Sequence, residues 1–224
     1  MKFSDFLKNG PLRKQKFQSR QEAGKILAEN LKTLNLGDNL IVCAIPRGGV
    51  IVGAQIAKEL KAKLTVLPIK KITTPVNPEL AVGAVGPVSS PILDKPLIST
   101  LQISRSVLLA EIEKAKDEVK RRMAEYGVKK QNFFGKIVIL TDDGVATGST
   151  INLAARLIKA TKPEKLILAV PLVPAGKISQ LKKKFDQVVV LLIPADFTAV
   201  GQFYYDFPQV TDEEVKRILA EANR

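Results

Sequence analysis

The sequence predicts an α/β fold built on a parallel sheet. Short runs such as NLIVCAI (39–45), KIVILT (136–141) and QVVVLLIP (187–194) are apolar at nearly every position, the pattern of strands buried on both faces. Between them lie segments with apolar residues at helical spacing, so strand and helix alternate along the chain. The 224 residues, 46% of them hydrophobic, suit one medium domain spanning 1–224 with a sizeable core.

Each element has its own justification. SRQEAGKILAENLKTLN opens with Ser19 and Glu22 at capping-box spacing, and Ala23, Ile26, Leu27, Leu31 and Leu34 follow as one helical face. Gly37 and Asp38 end it. The strand NLIVCAI stops at PRGG (46–49), and VIVGAQIAKEL reads as a helix packing through Ile51, Ala54, Ile56 and Leu60. LTVLPIK is a second strand. Residues 72–100 hold five prolines and two glycines without clear periodicity, too long for a plain connection, so they are expected to form a flap or hood insertion. SRSVLLAEIEKAKDEVKRRMAEY is a long helix with Gly127 after its end. KIVILT, the helix STINLAARLIKA, the strand KLILAVPLV, a short basic helix around 178–184 and the strand QVVVLLIP continue the alternation. A last helix starts at Thr211 and Glu214, again at capping-box spacing.

Composition excludes several chemistries. With no histidine, neither a Ser-His-Asp triad nor a His-ligated zinc site can be built. The single cysteine, Cys43, lies in an apolar run and reads as a small buried hydrophobe. No apolar run is long enough to span a bilayer and the first residues carry no signal-peptide pattern, so no membrane partner and a cytoplasmic location are expected. The formal charge is +13, from 26 Lys and 9 Arg against 22 acids. That excess fits a solvated surface, an anionic substrate or nucleic acid. Aromatics at 5% and the preference for Lys over Arg argue against a dedicated nucleic-acid reader.

The chemistry concentrates in KIVILTDDGVATGST (136–150). A buried strand ends on two adjacent acids, Asp142 and Asp143, and a loop almost bare of side chains leads into a helix. Ligands of parallel sheets sit beyond the carboxyl ends of strands. A helix start with exposed N–H groups suits phosphate, and Thr147, Ser149 and Thr150 add hydroxyls around Gly148 and Ala146. Carboxylates repel phosphate but accept hydrogen bonds from vicinal hydroxyls and hold a hard cation. Phosphate and hydroxyls together describe a phosphorylated sugar. After the first strand, Arg47 with the N–H groups of Gly48 and Gly49 forms a second anion-binding candidate. Lys70, beside Lys71 after a strand end, could reach phosphate. Arg121 and Arg122 read better as an exposed helix face.

VILTDDGVATGST resembles the signature of type I phosphoribosyltransferases, which bind 5-phosphoribosyl 1-diphosphate (PRPP) and have a Rossmann-like parallel sheet with a hood. AIPRGGV (44–50) stands where that family carries its diphosphate loop. The arrangement of KKITTPVNPELAVGAVG, the helix with RR, the acid loop and VGQFYYDFPQVTDEEV resembles bacterial phosphoribosyltransferase-like proteins of uncertain substrate. IPADFTAVGQFYYDF is similar to the purine-pocket stretch of hypoxanthine-guanine phosphoribosyltransferases, matching Phe197, Val200, Gly201 and, one residue out of step, Asp206. The resemblance implies a pentosyl transfer in nucleotide metabolism, from PRPP to a nitrogen acceptor such as a nucleobase, with Mg²⁺ as cofactor. It implies Asp142 and Asp143 as ribose acids and metal ligands, residues 146–150 as the 5-phosphate loop, and Arg47 at the departing diphosphate. A homodimer is compatible with it. A rival reading keeps the fold without turnover, as a PRPP-sensing or nucleic-acid-binding regulator.

Overall fold

A computed structural model describes residues 16–74, 80–88 and 90–224. The parts of the 72–100 insertion at 75–79 and at 89 lie outside the described residues.

The first helix, α1 (Arg20–Lys32), is capped by Ser19, whose hydroxyl accepts from the Glu22 N–H. β1 (Leu40–Ala44) leads into α2 (Gly49–Leu60), and β2 (Lys63–Val66) follows. Downstream, β6 (Ile137–Thr141), α5 (Ser149–Lys159), β7 (Lys165–Leu172), α6 (Ala175–Lys182) and β8 (Gln187–Leu192) complete the alternation, and α7 (Asp212–Ala222) starts on a Thr211 cap. The five strands form one parallel sheet in the order β2-β1-β6-β7-β8.

Period-two alternation splits these strands between two cores. Val42, Ala44, Ile139, Ile167 and Ala169 face α1, α2 and α7, packing with Leu27, Leu31, Val52, Ile56, Val215 and Leu219. Ile41, Cys43, Val138, Leu140, Leu166 and Leu168 face the other way, against Ile151, Ala154, Leu157, Ile158 and Leu181. Cys43 is fully buried there, and burial pushes its thiol pKa up, as befits a packing residue.

The apolar stretch LTVLPIK does not make one strand. β2 ends at Val66, and Lys70–Thr73 (β3) belongs to a separate antiparallel sheet with β4 (Ala81–Val85) and β5 (Ile92–Leu93). A Pro at 68 removes a ladder donor and lets the chain leave the first sheet. Two helices join this hood, α3 (Lys95–Thr100), capped by Asp94, and α4 (Arg105–Glu125), capped by Ser104. Their apolar faces, through Ile112, Ala115 and Val119 among others, close a third, smaller cluster with Ile72, Val82 and Val85. Among the described residues no helix is long and apolar enough to cross a membrane.

Candidate active site

Sheet order places the site. From β1 the chain goes outward to β2, then later returns to add β6, β7 and β8 on the other side of β1. The carboxyl ends of β1 and β6 therefore flank the switch point, where connections diverge and leave a crevice. Ala44 is in register with Thr141, and the Ile45 N–H donates to the Thr141 carbonyl at 2.9 Å. The segments that follow, Pro46–Gly49 and Asp142–Thr150, emerge side by side.

They touch through the missing side chains of Gly48 and Gly49. A methyl on Gly48 would overlap the Asp143 carboxylate. One on Gly49 would lie 2.8 Å from the Asp142 Cα and 3.0 Å from its Oδ1. Only glycine permits this approach at either position. The Pro46–Arg47 peptide is cis. The Arg47 guanidinium, partly exposed, points toward Asp212 at the start of α7, with Nη1 and Oδ2 3.9 Å apart. Asp212 also accepts a short hydrogen bond from the Tyr126 hydroxyl at the end of α4.

Beyond the acids, Gly144 and Val145 are buried, Ala146, Thr147 and Thr150 are exposed, and Ser149 is partly so. Gly148 has φ +78°, the left-handed region, and turns the loop into α5. Among the described residues the Ser149 N–H reaches only the Thr147 hydroxyl, at 3.3 Å, and the helix start has no side-chain cap. This leaves first-turn N–H groups of the helix for a ligand.

The two acids have different surroundings. Asp142 Oδ1 accepts the Asp143 N–H at 2.9 Å. Burial pushes the Asp142 carboxyl well above the usual carboxylate range, and the Asp143 charge adds to that. Asp143 is also pushed up by burial, but Arg20 pulls against it with a 2.8 Å ion pair from Nε to Oδ2. Behind Arg20 lies the face of Phe207, with the guanidinium carbon 3.6 Å from the ring centroid. Arg20 Nη1 also donates to the Pro208 carbonyl at 2.8 Å. The Tyr204 hydroxyl donates to the Asp143 carbonyl at 2.6 Å, and burial pushes its pKa up.

The remaining sequence candidates are dispersed. Val200 lies against Gly144, 2.7 Å from where a Cβ would stand, which brings the C-terminal segment to the acid turn. Phe197 stacks on Phe203 with ring centroids 5.8 Å apart and is partly buried against the core. Asp206 is exposed, its N–H paired with the Gln18 carbonyl. Lys70 and Lys71 are exposed on the hood strand β3. Arg121 and Arg122 bond Glu118 along α4, as an exposed helix face does.

Sequence reasoning missed Arg20, Tyr204 and Phe207. One signal was available. Arg20 is the first residue of a helix, where the dipole favours an acid over a cation. Residues that break a local rule tend to answer to something else in the structure.

A parallel sheet whose switch point carries an acid pair, glycine contacts and an uncapped helix start defines an α/β protein with its crevice at the carboxyl ends of β1 and β6. The five parallel strands flanked by helices match the type I phosphoribosyltransferase fold. The chain belongs to the phosphoribosyl transferase domain family, whose profile matches residues 15–208. Two Mycobacterium tuberculosis proteins, provisionally named phosphoribosyl transferases Rv0571c (strain H37Rv) and MT0597 (strain CDC 1551), are each 36% identical over 210 residues. The match covers 93% of this chain but 47% of theirs, so the chain spans about half the length of these curated relatives. The crystal structure of TT1426 from Thermus thermophilus is similar over 93% of this chain and 100% of that one, with TM-score 0.82 and 36% identity.

Proposed function

We propose that this chain is a PRPP-dependent phosphoribosyltransferase that joins the 5-phosphoribosyl group to a nitrogen acceptor, a nucleobase being the best candidate, and releases diphosphate. The observation that carries this reading is the junction of two loops at the switch point. The Gly48–Gly49 backbone lies directly on Asp142 and Asp143, next to the start of α5.

Each part has a physical role. First-turn N–H groups of α5, with Thr147, Ser149 and Thr150, suit the 5-phosphate. Asp142 and Asp143 suit the ribose hydroxyls, and their charge favours positive charge developing at the anomeric carbon. Arg47 and the Gly48–Gly49 N–H groups suit the departing diphosphate, so Arg47 must turn from Asp212 toward it. Lys70 is a candidate contact from the hood, and Phe197 a candidate wall for the acceptor. A nucleophilic nitrogen then displaces diphosphate at C1: the N–C1 bond forms as the C1–O bond breaks, the bond electrons leave with the diphosphate oxygen, and the proton carried by an N–H acceptor is released to water.

Type I phosphoribosyltransferases generally use Mg²⁺ with PRPP. Among the described residues no cluster of three or more His, Cys, Asp or Glu side chains could cage a metal. Two carboxylates beside a diphosphate subsite fit Mg²⁺, which takes one or two carboxylates and completes its shell with substrate and water oxygens. Asp142 and Asp143 are the residues that would hold it, and it would neutralise the leaving diphosphate.

The test is thermal stability with PRPP and Mg²⁺. A ligand that binds only the folded state adds about 2.7 kcal/mol at about 100 times its dissociation constant. The expected result is a clear rise in Tm with PRPP–Mg²⁺, then diphosphate release with one member of a nucleobase panel. No rise would sink the reading. Binding without release across the panel would favour a PRPP sensor.

A further inference from the structure

Of the features outside the two loops, the Arg20 cluster is the most completely built. Arg20 is 6% exposed, buried like a core residue although charged. A buried cation carries a large desolvation cost unless its charge and donors are engaged. Here they are engaged in separate directions, by the Asp143 carboxylate and the Pro208 carbonyl, with Phe207 stacked on the guanidinium face. That arrangement uses the planar fork of arginine and cannot be copied by lysine.

The cluster links segments far apart in sequence. Phe17 pairs with the C-terminal segment, its N–H donating to the Phe203 carbonyl and its carbonyl accepting from the Tyr205 N–H. Its ring lies against Tyr204, 5.5 Å between centroids, and Tyr204 stacks on Phe207 at 5.0 Å. The residues at 200–208 therefore hold the acid turn at three points. Val200 abuts Gly144, Tyr204 bonds the Asp143 carbonyl, and Phe207 with Pro208 holds the arginine that holds the Asp143 carboxylate.

We propose that Arg20 is a positioning residue for PRPP binding: it fixes the Asp143 carboxylate against Gly48, so that the diphosphate loop and the acid pair are presented to PRPP as one surface. The proposal rests on the PRPP reading above and divides the work of the acids. Asp143 is oriented by the protein through Arg20. Asp142, which accepts from the neighbouring backbone N–H and is not paired with the guanidinium, is the acid left to meet the sugar. Removing the guanidinium would also leave two close carboxylates without their nearest cation, a poor surface for a polyanionic substrate.

The experiment compares wild type with Arg20→Lys and Arg20→Met, measuring the PRPP–Mg²⁺ dissociation constant by calorimetry well below each Tm. Both variants should bind about tenfold or more weakly, the effect typical of losing a partner that orients a ligating side chain. Arg20→Lys is the decisive one, since it keeps the charge and is more readily tolerated by the fold. If it binds PRPP as wild type does, charge alone suffices and the proposal fails. Normal binding by Arg20→Met with only a lowered Tm would show a purely structural role and also overturn it. Should wild type itself not bind PRPP, the functional reading falls, and a crystal structure of Arg20→Lys then judges the positioning claim by itself. A carboxylate turned away from Gly48 supports positioning, and an unmoved one refutes it.

Discussion

The central sheet and the hood are made by different rules. Every residue of β6 is buried, and the sheet is covered on both faces by separate apolar clusters. In the hood, β3 exposes both lysines, and the 21-residue helix α4 buries only Ile112, Ala115 and Val119. The 11-residue α5, packed on the sheet, buries five residues. Leu101, Val107 and Leu109 of the hood remain exposed. Few buried contacts mark units that open locally at low free-energy cost. The loops proposed for phosphate and ribose stand on the sheet, so on that proposal the chemistry would be anchored in the part that holds its shape. On the same proposal, the hood would be the part free to adapt to an acceptor.

Core substitutions give the largest expected difference. Ile139 is fully buried in β6, between β1 and β7. Ile139→Ala should cost about 2–5 kcal/mol through lost transfer energy and a cavity that the neighbouring strands cannot close. Val119→Ala, in the hood cluster, removes two carbons, about 1.6 kcal/mol at about 0.8 kcal/mol per buried CH₂. It should appear chiefly as faster hydrogen exchange in the hood, with little movement of the global urea midpoint. Equal midpoint shifts for the two variants would break the comparison, because sheet and hood would then unfold as one unit.

The same difference governed what could be read from the sequence. Strands buried on both faces announce themselves as unbroken apolar runs, so β1, β6, β7 and β8 were legible, as were the Ser19 and Thr211 caps. The loops after β1 and β6 were legible as loops because glycine and acid clusters interrupt the apolar runs at those strand ends. The hood strands were not, since β5 has two residues and β3 has a single buried one, too few for a period to show. LTVLPIK looked like one strand because apolar character does not reveal which sheet a residue joins. Arg20, Tyr204 and Phe207 were hidden for another reason: they meet through tertiary contacts across up to 188 positions, and local pattern carries no such information.

Substitutions at the site sharpen the contrast at the next level of effect. Asp142→Asn should weaken PRPP binding by about a hundredfold, equivalent to ~2.7 kcal/mol, while Lys70→Ala, on the exposed hood strand, should weaken it by less than about tenfold. A Lys70 effect as large as that of Asp142 would mean that the hood carries much of the binding energy. The acids also separate from each other in apo stability. Two adjacent carboxylates repel, and from sequence alone Asn at both positions promises unchanged or slightly higher stability. Arg20 revises this for Asp143. Asp143→Asn leaves a buried guanidinium without its counter-charge and should lower the Tm. Asp142→Asn should not. The Asp142 carboxyl has its folded pKa raised, so its contribution to stability is present at acid pH and lost as pH rises through that raised value. Asn removes this loss, and the apo Tm of Asp142→Asn should decline less between pH 4 and neutrality than that of wild type.

The smallest expected effect lies on the hood's outer surface. Glu118 accepts hydrogen bonds from Arg121 and from Arg122, one turn further along α4. These bonds lower its pKa to about 2 from an ordinary 4.5. A depressed folded pKa gives a contribution that is full above the ordinary value and lost as pH falls through the lowered one. Glu118→Gln should therefore flatten the acid limb of hood stability between about pH 4.5 and about 2. Water competes for these groups and salt screens them, so the change should be smaller than any above. It should fade toward 1 M salt, where the screening length falls to about 3 Å. The measurement is hydrogen exchange along α4 in wild type and variant, at low and high salt. If the substitution instead lowers the global midpoint at neutral pH and 1 M salt, the α4 charge ladder supports the sheet as well as the hood, and the division between the two regions is drawn in the wrong place.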